Sequence, residues 1–359
     1  MSKKVIIGMS GGVDSSVAAM LLKEQGFDVI GLFMHNWNEN DPNGACTAED
    51  DYTDVRKVCD KIGIPYYSID FSKEYYDNVF KTFLDEYSHG RTPNPDVLCN
   101  SEIKFGVFRD KAMALGADYI ATGHYCGILK KDNKTFLRRA LDENKDQTYF
   151  LNQVTEKQID NVIFPLQDFT DKSQVRDLAT KFGLSTAAKK DSTGVCFIGE
   201  RNFRKFLSQY LPMKEGPIKT MDGKIIGTHK GVFYYTEGQH KGFGIGGVKG
   251  QNNTQPWYII KKDVLNNTLY VNQGEIDELY SNTLVTEGFN FITEKYTGKD
   301  VLVRIRHRQP LQKATVEFDN NNNAFVAFEN KQRAVVPGQY CVLYVDNICI
   351  GGGIINRSK

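Results

Sequence analysis

The stretch VIIGMSGGVDSSV, residues 5–17, decides the fold of this chain. Its first three residues form an apolar run of the kind that makes a buried strand. A loop of glycine and serine follows, and residues 15–25, SSVAAMLLKEQ, are rich in helix formers and stop at Gly26. The pattern predicts a strand, a tight loop and a helix, which is the first unit of a parallel sheet covered by helices.

The loop has the composition of a phosphate-binding turn. Gly11 and Gly12 let backbone N–H groups point inward, and the helix that follows presents its positive end. Ser10 and Ser15 can donate hydroxyl hydrogen bonds to phosphate oxygens, while Asp14 suits either a magnesium ligand or a helix cap. The lysine of the common G-x-x-x-x-G-K-[ST] loop is missing, and a tight turn with a capped helix is the alternative interpretation.

Strand-like and helix-like segments alternate through the first half of the chain. We expect strands at 5–9, 29–34, 66–69 and 117–122 and helices at 15–25, 52–62, 72–87 and 101–115. The stretch GRTPNPDVLCN, residues 90–100, is predicted to be a loop because its two prolines disfavour regular structure.

The pattern changes from Gly216 onward to short alternating runs separated by turn signals, among them Asn266-Asn267 and residues 320–323. We therefore predict an α/β fold class with an N-terminal parallel-sheet domain, a small β-rich central domain and a C-terminal β-barrel. The expected boundaries are 1–203, 204–278 and 279–359.

The charges of the chain are balanced, with 45 Lys and Arg against 44 Asp and Glu among 359 residues. A polyanionic partner must therefore be bound by local basic patches. The run VLVRIRHRQ, residues 301–309, is predicted to be a strand with Arg304, Arg306 and Arg308 on one face, which suits phosphate contacts. A solvated strand face is the alternative.

The seven cysteines form no C-x-x-C pair, so we expect thiols in a reducing cytoplasm rather than disulfides or a zinc ribbon. The apolar runs are too short for a signal peptide or a membrane span, and no membrane association is expected. Cys99 lies in the proline-bounded loop and Cys196 follows Lys189-Lys190, two settings that could favour the thiolate. The alternative for each is a small buried side chain.

Six stretches of the sequence together resemble a known family. SGGVDS resembles the loop of the PP-loop ATP pyrophosphatases, and the whole chain is similar to the tRNA-specific 2-thiouridylase family. The matching stretches are RTPNPDVLCNSEIKFG (91–106), ATGHY (121–125), KDQTYFL (145–151), KDSTGVCFIGERNF (190–203) and YTEGQHKGFGIGG (235–247). The resemblance implies cleavage of ATP between its α and β phosphates, with Mg²⁺, and 2-thiolation of the flipped-out wobble uridine of tRNA for Lys, Glu and Gln.

The resemblance also implies the site residues. Cys196 would carry the sulfur as a persulfide, Cys99 would attack that persulfide or form a disulfide with Cys196, and Asp96 would act as acid or base, a turn aspartate being its alternative. The ATP contacts would be Gly8, Met9, Ser10, Gly11, Gly12, Val13, Asp14, Ser15, Met34 and Gly123. The tRNA contacts would be Asn94, Pro95, Asp96, His124, Asp146, Gln147, Thr148, Arg306, His307 and Gln339. The structural cysteines would be Cys46, Cys59, Cys126, Cys341 and Cys349.

The chain departs from the family pattern at His307, where Tyr is usual, and at Glu237 and His240 within the usual Y-T-I-G-Q-R stretch. The sulfur donor implied is a cysteine desulfurase or a sulfur-relay protein, and a monomer bound to one tRNA is expected. Two alternatives stay open at this point. One is another PP-loop ATP-dependent ligase or sulfurtransferase acting on RNA, and the other is a non-catalytic ATP- and tRNA-binding redox sensor.

Overall fold

The computed structural model describes residues 2–37, 47–190, 203–245 and 255–358. Within these ranges the chain forms a parallel sheet, a small mixed sheet and a barrel sheet. The parallel sheet has the strand order β3-β2-β1-β4-β7. Its strands are β1 (Lys4–Met9), β2 (Asp28–His35), β3 (Tyr66–Asp70), β4 (Tyr119–Ala121) and β7 (Val162–Ile163).

Helices cover both faces of this sheet. They are α1 (Val13–Glu24), α2 (Thr47–Ile62), α3 (Ser72–Tyr75), α4 (Lys81–Ser88), α5 (Pro95–Leu98), α6 (Phe108–Ala114), α7 (Glu156–Ile159) and α8 (Lys172–Lys181), with α9 (Phe203–Leu207) following later. Side chains of β1 alternate between two cores: Val5 and Ile7 pack with α1, whereas Ile6 faces the core that holds Phe80 and Phe108. The predicted doubly covered parallel sheet is confirmed.

The strand order places the nucleotide loop, residues 10–12, at a special position. Strand β1 pairs with β2 on one side and with β4 on the other, so the order of the chain reverses beside it. Ligands of open α/β sheets bind at the carboxyl ends of the strands where such a reversal occurs. The loop that follows β1 lies at that end.

The prediction of a loop over residues 90–100 is wrong for its second half. Helix α5 begins at Pro95 and continues through a π-helical segment (Cys99–Val107), which is kinked at the non-helical Gly106 (φ −99°, ψ −107°) before α6 begins. Pro95 occupies the first helical position, where its missing N–H costs nothing and its fixed φ suits the helix. We call this run from Pro95 to Ala114 the Cys99 helix.

The central sheet has the order β10-β11-β8-β9, with β8 (Gly216–Thr220), β9 (Ile225–His229), β10 (Trp257–Asp263) and β11 (Thr268–Gln273). The turn between β10 and β11 contains Asn267, whose φ of +47° suits an asparagine. The Asn266-Asn267 turn signal is therefore confirmed.

The C-terminal sheet closes on itself. Strands β12 (Tyr280–Phe291), β13 (Asp300–Arg304), β14 (Gln312–Phe318), β15 (Ala324–Arg333), β16 (Tyr340–Val345) and β17 (Ile348–Ser358) follow the order β12-β15-β14-β13-β16-β17. A further pairing joins β12 to β17, which makes the predicted barrel. Residues 320–323 form the β14–β15 turn, as predicted, with Asn322 at φ +58°.

A hairpin of the first half of the chain joins this barrel sheet. Strands β5 (Cys126–Lys131) and β6 (Lys134–Arg139) pair with each other, and β6 adds to β17 through the registers Ile348 to Arg138 and Cys349 to Leu137. The sequence analysis missed this hairpin. It connects the nucleotide domain directly to the barrel.

The prediction of a strand over 301–309 is wrong after its fourth residue. Strand β13 ends at Arg304, and the next residues form a turn in which Arg308 has φ +65°. The alternating face of three arginines therefore does not exist as a strand face. No helix among the described ranges is long and apolar enough to cross a membrane.

Candidate active site

The nucleotide loop is closed by its own hydroxyl groups. The backbone N–H of Ser10 donates to Oγ of Ser15, and the Ser15 hydroxyl in turn donates to the carbonyl oxygen of Gly12, both at 3.2 Å. Gly12 is the residue before helix α1, so these bonds fix the loop to the first turn of that helix. The positive end of α1 and the turn thus form one rigid unit beyond β1.

Gly11 is required by the backbone in two ways. Its φ of +72° lies in the left-handed region, and a Cβ built on it would lie 2.6 Å from the carbonyl oxygen of Asp51 on α2. The missing side chain lets the loop backbone approach α2. The resulting tight turn at the positive end of α1 has the geometry of an anion-binding cradle.

Two residues distant in sequence lie on either side of the loop, Met34 beside the end of β1 and Gly123 beside the start of α1. A Cβ on Gly8 would lie 3.2 Å from Cε of Met34, and one on Gly123 would lie 2.7 Å from the backbone nitrogen of Ser15. Gly123 therefore has to be small because the start of α1 packs on it. The structure brings the loop, Met34 and Gly123 together.

Asp14 does not cap helix α1, although the sequence analysis allowed it. The cap position is Gly12, which has no side chain to cap the helix. The Asp14 carboxylate instead accepts a hydrogen bond from the hydroxyl of Tyr125 at 2.8 Å and pairs with the ammonium of Lys172 at 3.0 Å. Lys172, at the start of α8, brings to the loop the cation that the sequence motif lacks.

These residues fit a nucleotide polyphosphate. The tight turn at Gly11 leads into the start of α1, whose positive end favours an anion, and the largely buried Lys172 supplies positive charge. For Mg²⁺ the loop offers the single carboxylate of Asp14, and no group of three metal-binding side chains exists within the described ranges. A magnesium ion held by one carboxylate and by phosphates matches that donor set.

The Cys99 helix places the thiol of Cys99 in the protein core. Cys99 is 0% exposed and packs in the core that also contains Phe105 and Phe108. The expectation that it lies on a loop is wrong, because the helix begins four residues earlier. The π-helical segment begins at Cys99 itself, and such segments are frequent at functional sites.

The start of the Cys99 helix is attached to the barrel. The N–H of Thr92 donates to the carbonyl oxygen of Pro337 at 2.9 Å, and the amide of Gln339 donates to the carbonyl oxygen of Thr92 at 2.7 Å. Gln339 thus lies close to the segment that leads into Asn94, Pro95 and Asp96. The structure brings these four predicted tRNA contacts into one neighbourhood, with Asp96 half-buried on the first turn.

His124, another predicted tRNA contact, is buried and does not lie on the protein surface. Its exposed fraction is 8%, its Nδ1 lies 2.7 Å from the hydroxyl of Thr122, and its ring packs edge-on or tilted against Phe105 and Phe164. Burial, with the nearby charge of Lys104, lowers the pKa of His124 well below its usual value. The imidazole is therefore neutral at physiological pH.

Two of the three predicted contacts in KDQTYFL are buried. Asp146 and Thr148 are 1% and 0% exposed, and the Thr148 hydroxyl donates to Asp146 at 2.8 Å. Gln147 is half-buried and exchanges hydrogen bonds with the backbone of Tyr125, at 2.9 Å in each direction. Because Tyr125 also bonds Asp14, this stretch is tied to the nucleotide loop.

The basic residues at the end of β13 and in the turn after it divide into buried and half-buried ones. Arg304 is 3% exposed and pairs with Asp146 at 2.9 Å, so it is no surface contact. Arg306 is half-buried and donates to the carbonyl oxygen of Arg333 at 2.7 Å. His307 packs its ring 4.5 Å from that of Phe150. Burial, with nearby arginines, lowers the pKa of His307 to about 4.

Four of the five cysteines predicted to be structural lie in the core. Cys59, Cys126, Cys341 and Cys349 are at most 1% exposed, and burial raises the pKa of each thiol, that of Cys59 to about 12. They are poor nucleophiles at neutral pH. Cys46 and the predicted persulfide carrier Cys196 lie outside the described residues.

Sequence reasoning missed Lys172 and Tyr125 as parts of the site and placed the buried Arg304 on an exposed face. A signal for Lys172 exists, since Asp171 before it is a good helix cap and does accept the N–H of Ser173 at 2.6 Å. That signal predicts a helix start, but not its position beside the loop. Tyr125 and Arg304 have partners more than 100 residues away, which no local pattern indicates.

The parallel sheet and the loop beyond β1 define a nucleotide-binding α/β domain followed by two β domains. Family models agree with this organisation: "tRNA methyl transferase HUP domain" matches residues 3–200, "tRNA methyl transferase PRC-barrel domain" 204–273 and "Aminomethyltransferase beta-barrel domain" 281–355.

Relatives that align over almost the whole chain identify the family within this class of nucleotide-binding proteins. A tRNA-specific 2-thiouridylase MnmA of Bacillus licheniformis is 52% identical over 358 residues, which covers 98% of this chain and 95% of the relative. The protein of the same name in Bacillus subtilis is 52% identical over 357 residues, with the same coverage of both chains. The chain belongs to the tRNA-specific 2-thiouridylase MnmA family.

Solved structures resemble part of the chain weakly. The U34-tRNA thiolase NcsA from Methanococcus maripaludis is 22% identical with a TM-score of 0.36, over 58% of this chain and 65% of that chain. A 4-thiouridine synthetase in complex with RNA and ATP is 15% identical with a TM-score of 0.34, over 58% and 50%. At these scores the likeness says nothing about the reaction of this chain.

Proposed function

We propose that this protein is a tRNA-uridine 2-sulfurtransferase that uses ATP to replace O2 of the wobble uridine with sulfur. One observation carries the proposal: over almost its whole length the chain is 52% identical to relatives named tRNA-specific 2-thiouridylase. The nucleotide loop beside Lys172 supports it, because the reaction needs a site for a polyphosphate.

The first half of the reaction activates the base. ATP binds along residues 8–15, with Met34 and Gly123 beside it, and Lys172 together with the start of α1 stabilises the negative charge of the phosphates. The uridine O2 attacks the α-phosphorus, the bond to the β-phosphate breaks, and pyrophosphate leaves. Mg²⁺ bound with the phosphates would neutralise part of that charge. AMP on O2 then makes this oxygen a good leaving group.

The second half transfers sulfur. The terminal sulfur of a Cys196 persulfide bonds to C2, and AMP leaves with the old oxygen. Cys99 then attacks Sγ of Cys196, which releases the thiolated base and leaves a disulfide between the two cysteines. In the other order, Cys99 first frees hydrosulfide, which attacks C2. In both orders an external thiol has to reduce the disulfide.

Asp96 and the tRNA contacts complete the proposal. Asp96 lies on the first turn of the Cys99 helix, where a carboxylate can move protons at the uracil ring. Asn94, Gln147, Arg306, His307 and Gln339 are half-buried, whereas Pro95, His124, Asp146 and Thr148 are buried. The tRNA set would be that for Lys, Glu and Gln.

We further propose domain boundaries at 1–203, 204–278 and 279–359, action in the cytoplasm and a sulfur supply from a cysteine desulfurase or a sulfur-relay protein. The reducing compartment agrees with the buried, unpaired thiols of Cys59, Cys126, Cys341 and Cys349.

The test is mass spectrometry of the nucleosides from an unmodified tRNA-Lys transcript. The transcript is incubated with the protein, ATP, Mg²⁺, cysteine and a cysteine desulfurase. We expect 2-thiouridine at the wobble position with the wild type and none with Cys196→Ala or Cys99→Ala. Cys59→Ala is the matched control, since its thiol lies in the other core of the parallel sheet, apart from Cys99, and burial raises its pKa to about 12. AMP without 2-thiouridine would favour an RNA ligase, and tRNA binding without either product would favour a redox sensor.

A further inference from the structure

Asp146 has no side-chain surface left for RNA. Its carboxylate is 0% exposed and pairs with Nη1 of Arg304 at 2.9 Å and with Nε of Arg139 at 3.3 Å. The other oxygen accepts the Thr148 hydroxyl at 2.8 Å and the Thr148 N–H at 3.2 Å. The carboxylate is thus fully used inside the protein, where an ion pair needs such additional bonds to be favourable.

Arg304, one of these partners, lies where strand β13 enters the turn that carries two of the predicted tRNA contacts. Arg304 is the last residue of β13, and the turn that follows, residues 305–308, carries Arg306 and His307. The direction in which the turn leaves the barrel is therefore set at the residue that Asp146 holds. Arg139 belongs to β6 of the hairpin, so the same carboxylate also ties the turn to the nucleotide domain.

The neighbours of Asp146 in sequence support the same turn. The hydroxyl of Tyr149 donates to the carbonyl oxygen of Ile305 at 3.3 Å, and the ring of Phe150 lies 4.5 Å from that of His307. Residues 146–150 thus lie directly under the turn, with a charged contact at its start and a ring contact at its middle.

The charges around Asp146 also argue against a direct contact between its carboxylate and RNA. A free carboxylate facing RNA would repel phosphates, but between two guanidinium groups the negative charge of Asp146 is more than balanced. Its effect on RNA binding has to pass through the arginines.

We infer that Asp146 is a positioning residue for tRNA binding, which fixes the turn 305–308 through Arg304 and does not touch the RNA. This inference rests on the proposed function, because it assumes that Arg306 and His307 face tRNA. It differs from the contact implied by the resemblance, in which Asp146 itself binds the nucleic acid.

A double-mutant cycle tests the inference. The tRNA dissociation constant is measured by fluorescence anisotropy at several salt concentrations for the wild type, Asp146→Asn, Arg304→Met and the double variant. We expect each single change to weaken binding roughly tenfold and the double change to do no more, since both break one unit. The slope of affinity against salt should stay unchanged, because the variants raise the cost of ordering the turn while the Arg306 phosphate contact is still made in the complex, whereas Arg306→Met should reduce it by about one unit.

Two controls separate positioning from simple damage. Glu143→Gln removes a carboxylate from the same Arg139, paired at 3.3 Å but 77% exposed, and should leave tRNA binding within about twofold, as exposed pairs contribute little. The KM for ATP should be unchanged in every variant. If Asp146→Asn does not fold, Thr148→Val takes its place in the cycle, since it removes the hydroxyl bond to the same carboxylate.

Additive losses, or a reduced salt slope in Arg304→Met, would overturn the inference and return these residues to direct contact. Wild-type affinity in folded Asp146→Asn would overturn it as well. Failure of the proposed function gives a different result, since the wild type would then form no 2-thiouridine whatever the cycle shows.

Discussion

At the scale of single residues, two glycines of similar backbone show which one the site needs. Gly11 and Gly26 flank helix α1 and have φ +72° and +83°, but only at Gly11 does an added Cβ meet backbone atoms within 4 Å. We expect alanine at Gly26 to cost about 1–2 kcal/mol in the free energy of unfolding through its positive φ alone, and alanine at Gly11 to cost more because its Cβ also meets Asp51 at 2.6 Å. Only Gly11→Ala should abolish ATP binding, because the loop must then move away from Asp51. Urea unfolding and titration calorimetry measure the two effects, and unchanged ATP affinity in Gly11→Ala would contradict the proposed cradle.

Lys172 is the second residue whose role can be tested alone. Removing its ammonium in Lys172→Met should raise the KM for ATP by about tenfold or more, the usual effect of losing a charge-assisted hydrogen bond. Lys130→Met is the matched control. This lysine lies on β5 of the hairpin, pairs with Asp160 and is 58% exposed. Equal KM values for the two variants would show that Lys172 holds Asp14 only.

Buried histidines predict how stability depends on pH. The pKa of His124 is lowered well below 6.5 by burial, and that of His307 is lowered to about 4. The unfolded chain therefore binds protons as pH falls through about 6.5 while the folded chain does not, so stability present above that pH is lost below it. Urea midpoints should fall between pH 7.5 and 5, and less steeply in His124→Gln. A midpoint that rises on acidification would contradict the burial of these rings.

At the scale of elements, the helix that carries Cys99 shows where sequence reasoning succeeds and fails. Strand β1, the loop and the end of α1 before Gly26 follow from local pattern and are confirmed. Pro93 and Pro95 suggest a loop by composition, yet Pro95 starts a helix because the first helical position needs no N–H donor. Composition alone could not distinguish these two uses of proline.

The prediction of a longer strand β13 with an exposed arginine face is wrong for a different reason. Alternation predicts an exposed face for Arg304, but its partner Asp146 lies 158 residues earlier and takes it into the core. A tertiary ion pair of this kind leaves no local signal, and the same holds for the β5–β6 hairpin that joins the barrel. The nucleotide loop was predictable because one short segment contains it, whereas Lys172 and Tyr125 come from distant elements.

The hairpin gives an element-scale prediction. Cys126 on β5 is 0% exposed and shares its core with Cys349 and Tyr344 of the barrel. In a chain cut after residue 203 the barrel is missing, so iodoacetamide should modify Cys126, which it should not do in the intact chain. Cys59, buried against the parallel sheet, should stay unmodified in both. Mass spectrometry of the digested protein reads the result, and protection of Cys126 in the folded short chain would contradict the dependence on the barrel.

At the scale of the whole molecule, three domains meet just before the Cys99 helix. Thr92 bonds the barrel through Pro337 and Gln339, and its hydroxyl lies 3.5 Å from that of Thr236 in the central domain. The nucleotide loop is connected through Tyr125 to Gln147, and Asn100 of the Cys99 helix donates to the carbonyl oxygen of Phe150 in the same stretch. With a net charge of +1, the chain has no general attraction for RNA, so this junction and its local charges have to select the substrate.

The central claim is that ATP is cleaved to activate one uridine for each sulfur transferred. The most direct measurement is the ratio of AMP to 2-thiouridine in a single turnover, with labelled ATP, tRNA-Lys transcript and enzyme previously loaded with persulfide sulfur. The account predicts one AMP and one pyrophosphate for each 2-thiouridine, with no ADP and no AMP when tRNA is left out. Formation of ADP and phosphate, or 2-thiouridine without any cleavage of ATP, would contradict it.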